Sequence, residues 1–119
     1  MKIEIKEIYL SANPIIYGYR FIENQTKVPE KFQFTLEVHI GPVEKYSADL
    51  FSGTLASTSY LTSELQNKTI LYGRKYFIVE SFDYENIVDE LNNLISKIDG
   101  DNWEECVSKL RIYFTWEYE

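Results

Sequence analysis

At 119 residues, 45% hydrophobic and 26% charged, the chain has the size and make-up of one globular domain over residues 1–119, which excludes disordered and collagen-like classes. Its net charge of −7 lies entirely in the last third: residues 1–82 hold nine Lys and Arg against nine Asp and Glu, residues 83–119 three against ten. Such a surface repels phosphate backbones and attracts basic partners, so no nucleic-acid ligand is expected.

The first seven residues alternate charge with isoleucine and offer no apolar stretch of the kind a secretory signal needs. No run approaches the roughly 18 apolar residues required to span a bilayer. A cytoplasmic protein with no membrane partner is the expectation. Cys106 is the only cysteine, which rules out an internal disulfide and a cysteine-based metal site.

Ile3, Ile5 and Tyr9, with Glu4 and Lys6 between them, predict a half-buried opening strand that ends before Ser11-Ala12-Asn13-Pro14. Ile15 to Ile22, broken by Gly18, reads as a loop with at most a short strand. The clearest period of two is Phe32, Phe34, Leu36, Val38 and Ile40 against Gln33, Thr35, Glu37 and His39, an antiparallel-type strand with one wet face. Gly41-Pro42 stops it, and Ser47 to Ala56 supplies a partner strand. A short helix from Thr58 to Gln66 follows, with Leu61 and Leu65 expected to face the core.

After a turn at Gly73, Tyr76 to Ser81 is nearly all apolar at its start and reads as a central strand covered on both faces. Asp83 is placed to cap a helix whose stripe is Tyr84, Ile87, Val88, Leu91, Ile95 and Ile98. Asp99-Gly100 ends it. Asp101 and Glu104 match a capping box opening a second helix that buries Trp103, Val107 and Leu110, and Phe114, Trp116 and Tyr118 share one side of a last strand. The fold class is therefore α+β: a mainly antiparallel sheet with about three helices packed on one face.

Chemistry is sparse. His39 is the only histidine and has no candidate relay partner nearby, so a solvated strand residue accounts for it best. Cys106 sits on an apolar helix side and reads as a small core residue. Asp99-Gly100-Asp101-Asn102 fails as a calcium loop, because Trp103 and Glu104 fall where a ligand and the loop glycine are needed. No phosphate-binding glycine loop or nucleophile motif is present, and no catalytic residue, metal or cofactor is assigned. Asn24-Gln25-Thr26 and Asn67-Lys68-Thr69 fit the glycosylation pattern, which has no use without export.

What remains is an acidic tract: Glu85, Asp89 and Glu90, then Asp99, Asp101, Glu104 and Glu105. First-turn carboxylates are stabilised by the helix dipole and need no other reason. Asp89 and Glu90 lie deeper, and Glu85 and Asp89 form a like-charge i,i+4 pair with no basic residue before Lys97. A solvated helix face and a docking surface for a basic protein both fit. Glu85, Asp89, Glu90, Asp101, Glu104 and Glu105 are the candidate partner-binding residues. Tyr17, Tyr19, Tyr60, Tyr72 and Tyr113 equally suit strands or contacts.

Gly73-Arg74 followed by Ile78-Val79, Phe82-Asp83-Tyr84, Asp101-x-Trp103-x-Glu105, Lys109-Leu110 and Trp116-Glu117-Tyr118-Glu119, together with Phe32-x-Phe34 and Ile40-Gly41-Pro42 upstream, form an ordered set. In this set the chain resembles immunity protein family eight of bacterial polymorphic toxin systems, from about residue 32 onward. Ile112 stands where that family tends to place an arginine. The resemblance implies a cytoplasmic α+β protein, without enzymatic activity, that neutralises a cognate toxin domain by docking. Nucleases are one class of such toxins, and they are typically basic where nucleic acid sits. A non-catalytic adaptor or assembly module for another basic protein is the alternative, and the expected state is a monomer or weak homo-oligomer.

Overall fold

The computed structural model describes residues 1–12, 18–20, 28–73 and 75–119. Asn13-Pro14, Tyr17, most of the Ile15 to Ile22 stretch, Asn24-Gln25-Thr26 and Arg74 lie outside them.

In chain order the elements are β1 (Ile3–Ala12), β2 (Gly18–Arg20), β3 (Gln33–Pro42), β4 (Asp49–Ser57), α1 (Thr58–Leu65), β5 (Tyr76–Val79), α2 (Tyr84–Ser96), α3 (Trp103–Leu110) and β6 (Thr115–Trp116). The fold is α+β, as the sequence predicts. One sheet runs β2-β1-β3-β4-β5, with β6 also paired to β4. Among the described residues every pairing is antiparallel except β4 with β5.

The spine is β3. Phe34, Leu36, Val38 and Ile40, with Phe32 just before the strand, are each at most 6% exposed, while Gln33, Thr35, Glu37 and His39 reach solvent on the other face. Period-two alternation thus sets the orientation of the sheet.

A bulge in β1 changes the expected facing of its second half. The register against β3 shifts between Ile5 and Glu7, so that Ile5 opposes Ile40 but Ile8 opposes Val38 and Leu10 opposes Leu36. The apolar residues Ile3, Ile5, Ile8 and Leu10 are spaced two, three, two, and one inserted residue keeps all four on the buried side. Tyr9, expected beside Ile3 and Ile5, turns to the wet face, where its ring lies 5.3 Å from that of His39.

The far edge of β4 is shared. Phe51 and Ser52 pair with β6, Thr54 to Ser57 pair with β5, and Gly53 marks the changeover. A Cβ on Gly53 would meet the Lys75 carbonyl oxygen and the Phe77 ring, both at 2.8 Å. Parallel pairing of β4 and β5 requires a crossover, and α1 lies within it. Ser57 starts α1: its hydroxyl accepts from the Tyr60 amide at 3.2 Å and the Phe32 amide at 3.1 Å.

Two further expectations are corrected here. Leu65 is 46% exposed and α1 buries no residue, because two leucines at i,i+4 among serines and threonines make too narrow a stripe to seat the helix. β5 is an edge strand, not a central one, and Ile78 is 57% exposed. A short apolar run does not distinguish the two positions; here Phe77 and Val79 turn inward while Tyr76 and Ile78 turn away.

Helices α2 and α3 cover the apolar face. Ile87, Leu91 and Ile95 of α2, Ile98 beyond it, and Cys106, Val107 and Leu110 of α3 join the inner residues of β1, β3 and β4 in one core, closed by the fully buried Phe114. Asp83 caps α2 as expected, its carboxylate accepting from the Asn86 amide at 3.2 Å. The α3 cap is one residue later than expected. Asn102, not Asp101, is the N-cap and accepts from the Glu105 amide at 2.9 Å, and Glu105 reaches back to the Asp101 amide at 2.7 Å. That frame brings Cys106 as well as Val107 and Leu110 onto the buried side. The last strand is reduced to β6: Phe114 is buried, Trp116 half-buried and Tyr118 66% exposed.

Candidate functional site

Two features of the surface bear on function. The first is a groove of about 540 Å³ between β5 and α2. Its floor is apolar: Phe77 and Val79 on one wall, Ile87, Leu91 and Leu94 on the other, and Leu36 and Leu55 beneath. Tyr113, 42% exposed, stands at its rim. The rest of the rim carries Glu80, Asp83 and Glu90 beside the neutral Ser81 and Asn86, and among the described residues no Lys or Arg lines it. The turn that spaces the two walls is fixed by Phe82, whose ring meets Phe32 edge-on at 5.9 Å and Phe34 at 6.2 Å.

The six acidic candidates are all exposed, and they fall into separate sets. Glu90 lines the groove, whereas Glu85 and Asp89 do not. Asp101, Glu104 and Glu105 begin α3, beyond the second half of α2, which from Glu90 adds roughly 9 Å of helix. Glu105 is engaged within the cap, on the Asp101 amide. Glu80, missed in the sequence because it lies outside the helical tract, and Asp83, read only as a cap, share the groove with Glu90.

The second feature is the corner where α3, β6 and the C-terminus meet. Asp49, which no sequence motif singles out, accepts at one oxygen from both indoles: Trp103 at 3.3 Å and Trp116 at 3.0 Å. Glu117 extends the β6 ladder, its amide donating to the Leu50 carbonyl at 3.0 Å and its carboxylate accepting from the Leu50 amide. Glu119 pairs with Arg111 at 2.7 Å, and the Arg111 guanidinium lies 6.0 Å from the Trp116 ring centroid. Lys75, in the left-handed region at φ 59, donates its ammonium to the Arg111 carbonyl at 2.7 Å at the end of α3. Gly100 packs so tightly under α3 that a Cβ would sit 3.0 Å from the Cys106 amide nitrogen, and its carbonyl accepts from the Met1 ammonium at 2.8 Å.

Burial pushes the Cys106 thiol upward, away from the thiolate a nucleophile needs. Burial, reinforced by the neighbouring Glu64 carboxylate, likewise raises the Tyr60 phenol. Among the described residues no three His, Cys, Asp or Glu side chains gather as a metal site requires, every buried side-chain polar atom has a hydrogen-bond partner, and no helix is long and apolar enough to cross a membrane.

The comparison with protein families decides the kinship: the family described as Immunity protein 8 matches residues 12–119. The chain belongs to this family. Immunity proteins are typically non-catalytic, and the name implies a protein toxin as partner. No curated protein and no solved structure gives a significant match. Within the Immunity protein 8 match, the motif residues Asp83, Trp103, Glu105, Trp116 and Glu117 are largely spent on caps and internal hydrogen bonds.

Proposed function

We propose that this chain neutralises a basic toxin domain by one-to-one docking in the cytoplasm, without chemistry of its own, and that its acidic last third guides the encounter. Family membership over residues 12–119 carries the reading. The confinement of the net charge of −7 to residues 83–119 supports the electrostatic part, since one charged end steers an oppositely charged partner before contact. Glu85, Asp89, Glu90, Asp101, Glu104 and Glu105 belong to that last third as the proposed contact residues, and a nuclease, basic where it grips nucleic acid, is the toxin class such a charge suits best.

Co-expression with the C-terminal domain of the protein encoded immediately upstream is the test. Rescue of growth and one-to-one co-purification are expected. Co-purification without rescue favours the adaptor alternative instead. Association should slow about tenfold or more as salt is raised from tens to hundreds of millimolar. An on-rate indifferent to salt removes the steering.

A further inference from the structure

The outer edge of β5 is unpaired among the described residues, and it borders the groove. In a parallel ladder alternate residues turn both backbone groups toward the neighbouring strand. The Thr54 amide donates to the Lys75 carbonyl at 2.9 Å, and with Thr54 opposite Tyr76 and Ala56 opposite Ile78, the inward set on this strand is Lys75, Phe77 and Val79. The N–H and C=O groups of Tyr76 and Ile78 therefore point away from the sheet. Natural edges are usually blunted by a lysine, a proline or a covering element. Here one of the two outward-turned residues of the edge, Ile78, is 57% exposed, and Glu80 and Glu90 line the groove beside it.

We infer that the open edge of β5 and the groove beside it receive an extended segment of the toxin domain, alternately apolar and basic, which adds a strand to the sheet. The inference rests on the toxin-neutralising reading above. Alternate side chains of such a segment fall on opposite faces. One set enters the groove over Phe77 and Val79, and the other lies against Ile78 and Tyr76. Lysines or arginines flanking the inserted residues meet Glu80 and Glu90, beside which no basic side chain lines the groove among the described residues. Main-chain bonds then supply affinity while the groove and its charges select the partner.

Amide exchange in the complex with the upstream-encoded domain, followed by NMR on labelled chain, tests this. The Tyr76 and Ile78 amides should exchange about tenfold or more slowly when bound than when free. Ile78→Pro removes an outward N–H without touching the β4 ladder and should weaken binding by at least about tenfold. Glu90→Lys should weaken it by about tenfold more than Asp89→Lys, which reverses the same charge on the adjacent residue outside the groove. A complex whose Tyr76 and Ile78 amides stay unprotected overturns the strand-addition claim while leaving immunity intact, even if Ile78→Pro fails to fold. Equal effects of Glu90→Lys and Asp89→Lys overturn the groove. Absence of any complex overturns the toxin-neutralising reading and this inference with it.

Discussion

The two ends of the shared β4 edge differ in how much of their bonding capacity is used. Where β6 runs, the edge is closed: Asp49 takes both indoles, Glu117 takes both backbone groups of Leu50, and Glu119 takes Arg111. Where β5 runs, the outer edge is unpaired among the described residues and lies beside an apolar groove with Glu80, Asp83 and Glu90 on its rim. Motif residues stand at both ends: Trp103, Trp116, Glu117 and Glu119 at the first, Ile78, Val79 and Asp83 at the second. At the first end Trp116, Glu117 and Glu119 of the tail motif spend their polar groups within the chain; at the second, Glu80 and Glu90 keep their carboxylates on the groove rim.

The sharpest way to break this division is Trp116→Ala. Trp116 is half-buried, packed on the core and edge-on to Tyr118 at 5.3 Å, and its loss leaves a carboxylate with one donor fewer. We expect about 2–4 kcal/mol of destabilisation by denaturant titration, at or just below the range for wholly buried aromatics, with partner affinity of the folded protein unchanged. A variant that melts normally and loses the toxin would move the closed corner into the interface.

A smaller effect sharpens the same division at α3. Because Asn102 holds the cap, Asn102→Ala should cost about 1 kcal/mol, while Asp101→Ala should stay within about 0.5 kcal/mol. The pair also separates roles among the acidic candidates. An Asp101→Ala variant that associates more slowly at low salt but keeps its stability acts through charge alone.

The sheet was legible wherever burial imposed a period. The alternation of Phe32 to Ile40, the α2 stripe and the Asp83 cap all follow from spacing, because a one-residue slip there would expose a whole apolar face. What escaped depends on partners distant in sequence. The apolar run of β5 does not reveal whether one neighbour or two flank it. The β1 bulge needs the register of β3 to become visible, although the two-three-two spacing of its isoleucines and leucine was a usable signal. Asp49 is an ordinary strand-start aspartate until Trp103 and Trp116, 54 and 67 residues away, are folded onto it. The groove is harder still, since Phe77 and Glu90 belong to two elements and Glu80 and Tyr113 to two separate connections. The acidic excess was readable, but the helical geometry that assigns Glu90 to the groove and leaves Asp89 outside it was not.

The smallest expected effect concerns the core between these two ends. Cys106 is fully buried in α3, and burial raises its thiol above the ordinary value. For a group held neutral in the fold, the unfolded chain releases its proton first, so the unfolded state binds fewer protons once pH exceeds about 8.5. Stability due to the neutral thiol is therefore complete at neutral pH and falls as pH climbs through that value toward the higher folded one. Tyr60, also raised, adds a loss of the same sign nearer the ordinary tyrosine range. Comparing denaturant midpoints at pH 7.5 and 9.5 for the parent chain and Cys106→Ala isolates the thiol: the parent should lose more between the two than the variant does. A thiol reagent should label Cys106 only as the protein unfolds, at both pH values. Rapid labelling of the native chain would show that α3 opens readily at Gly100, and the corner would then not be closed.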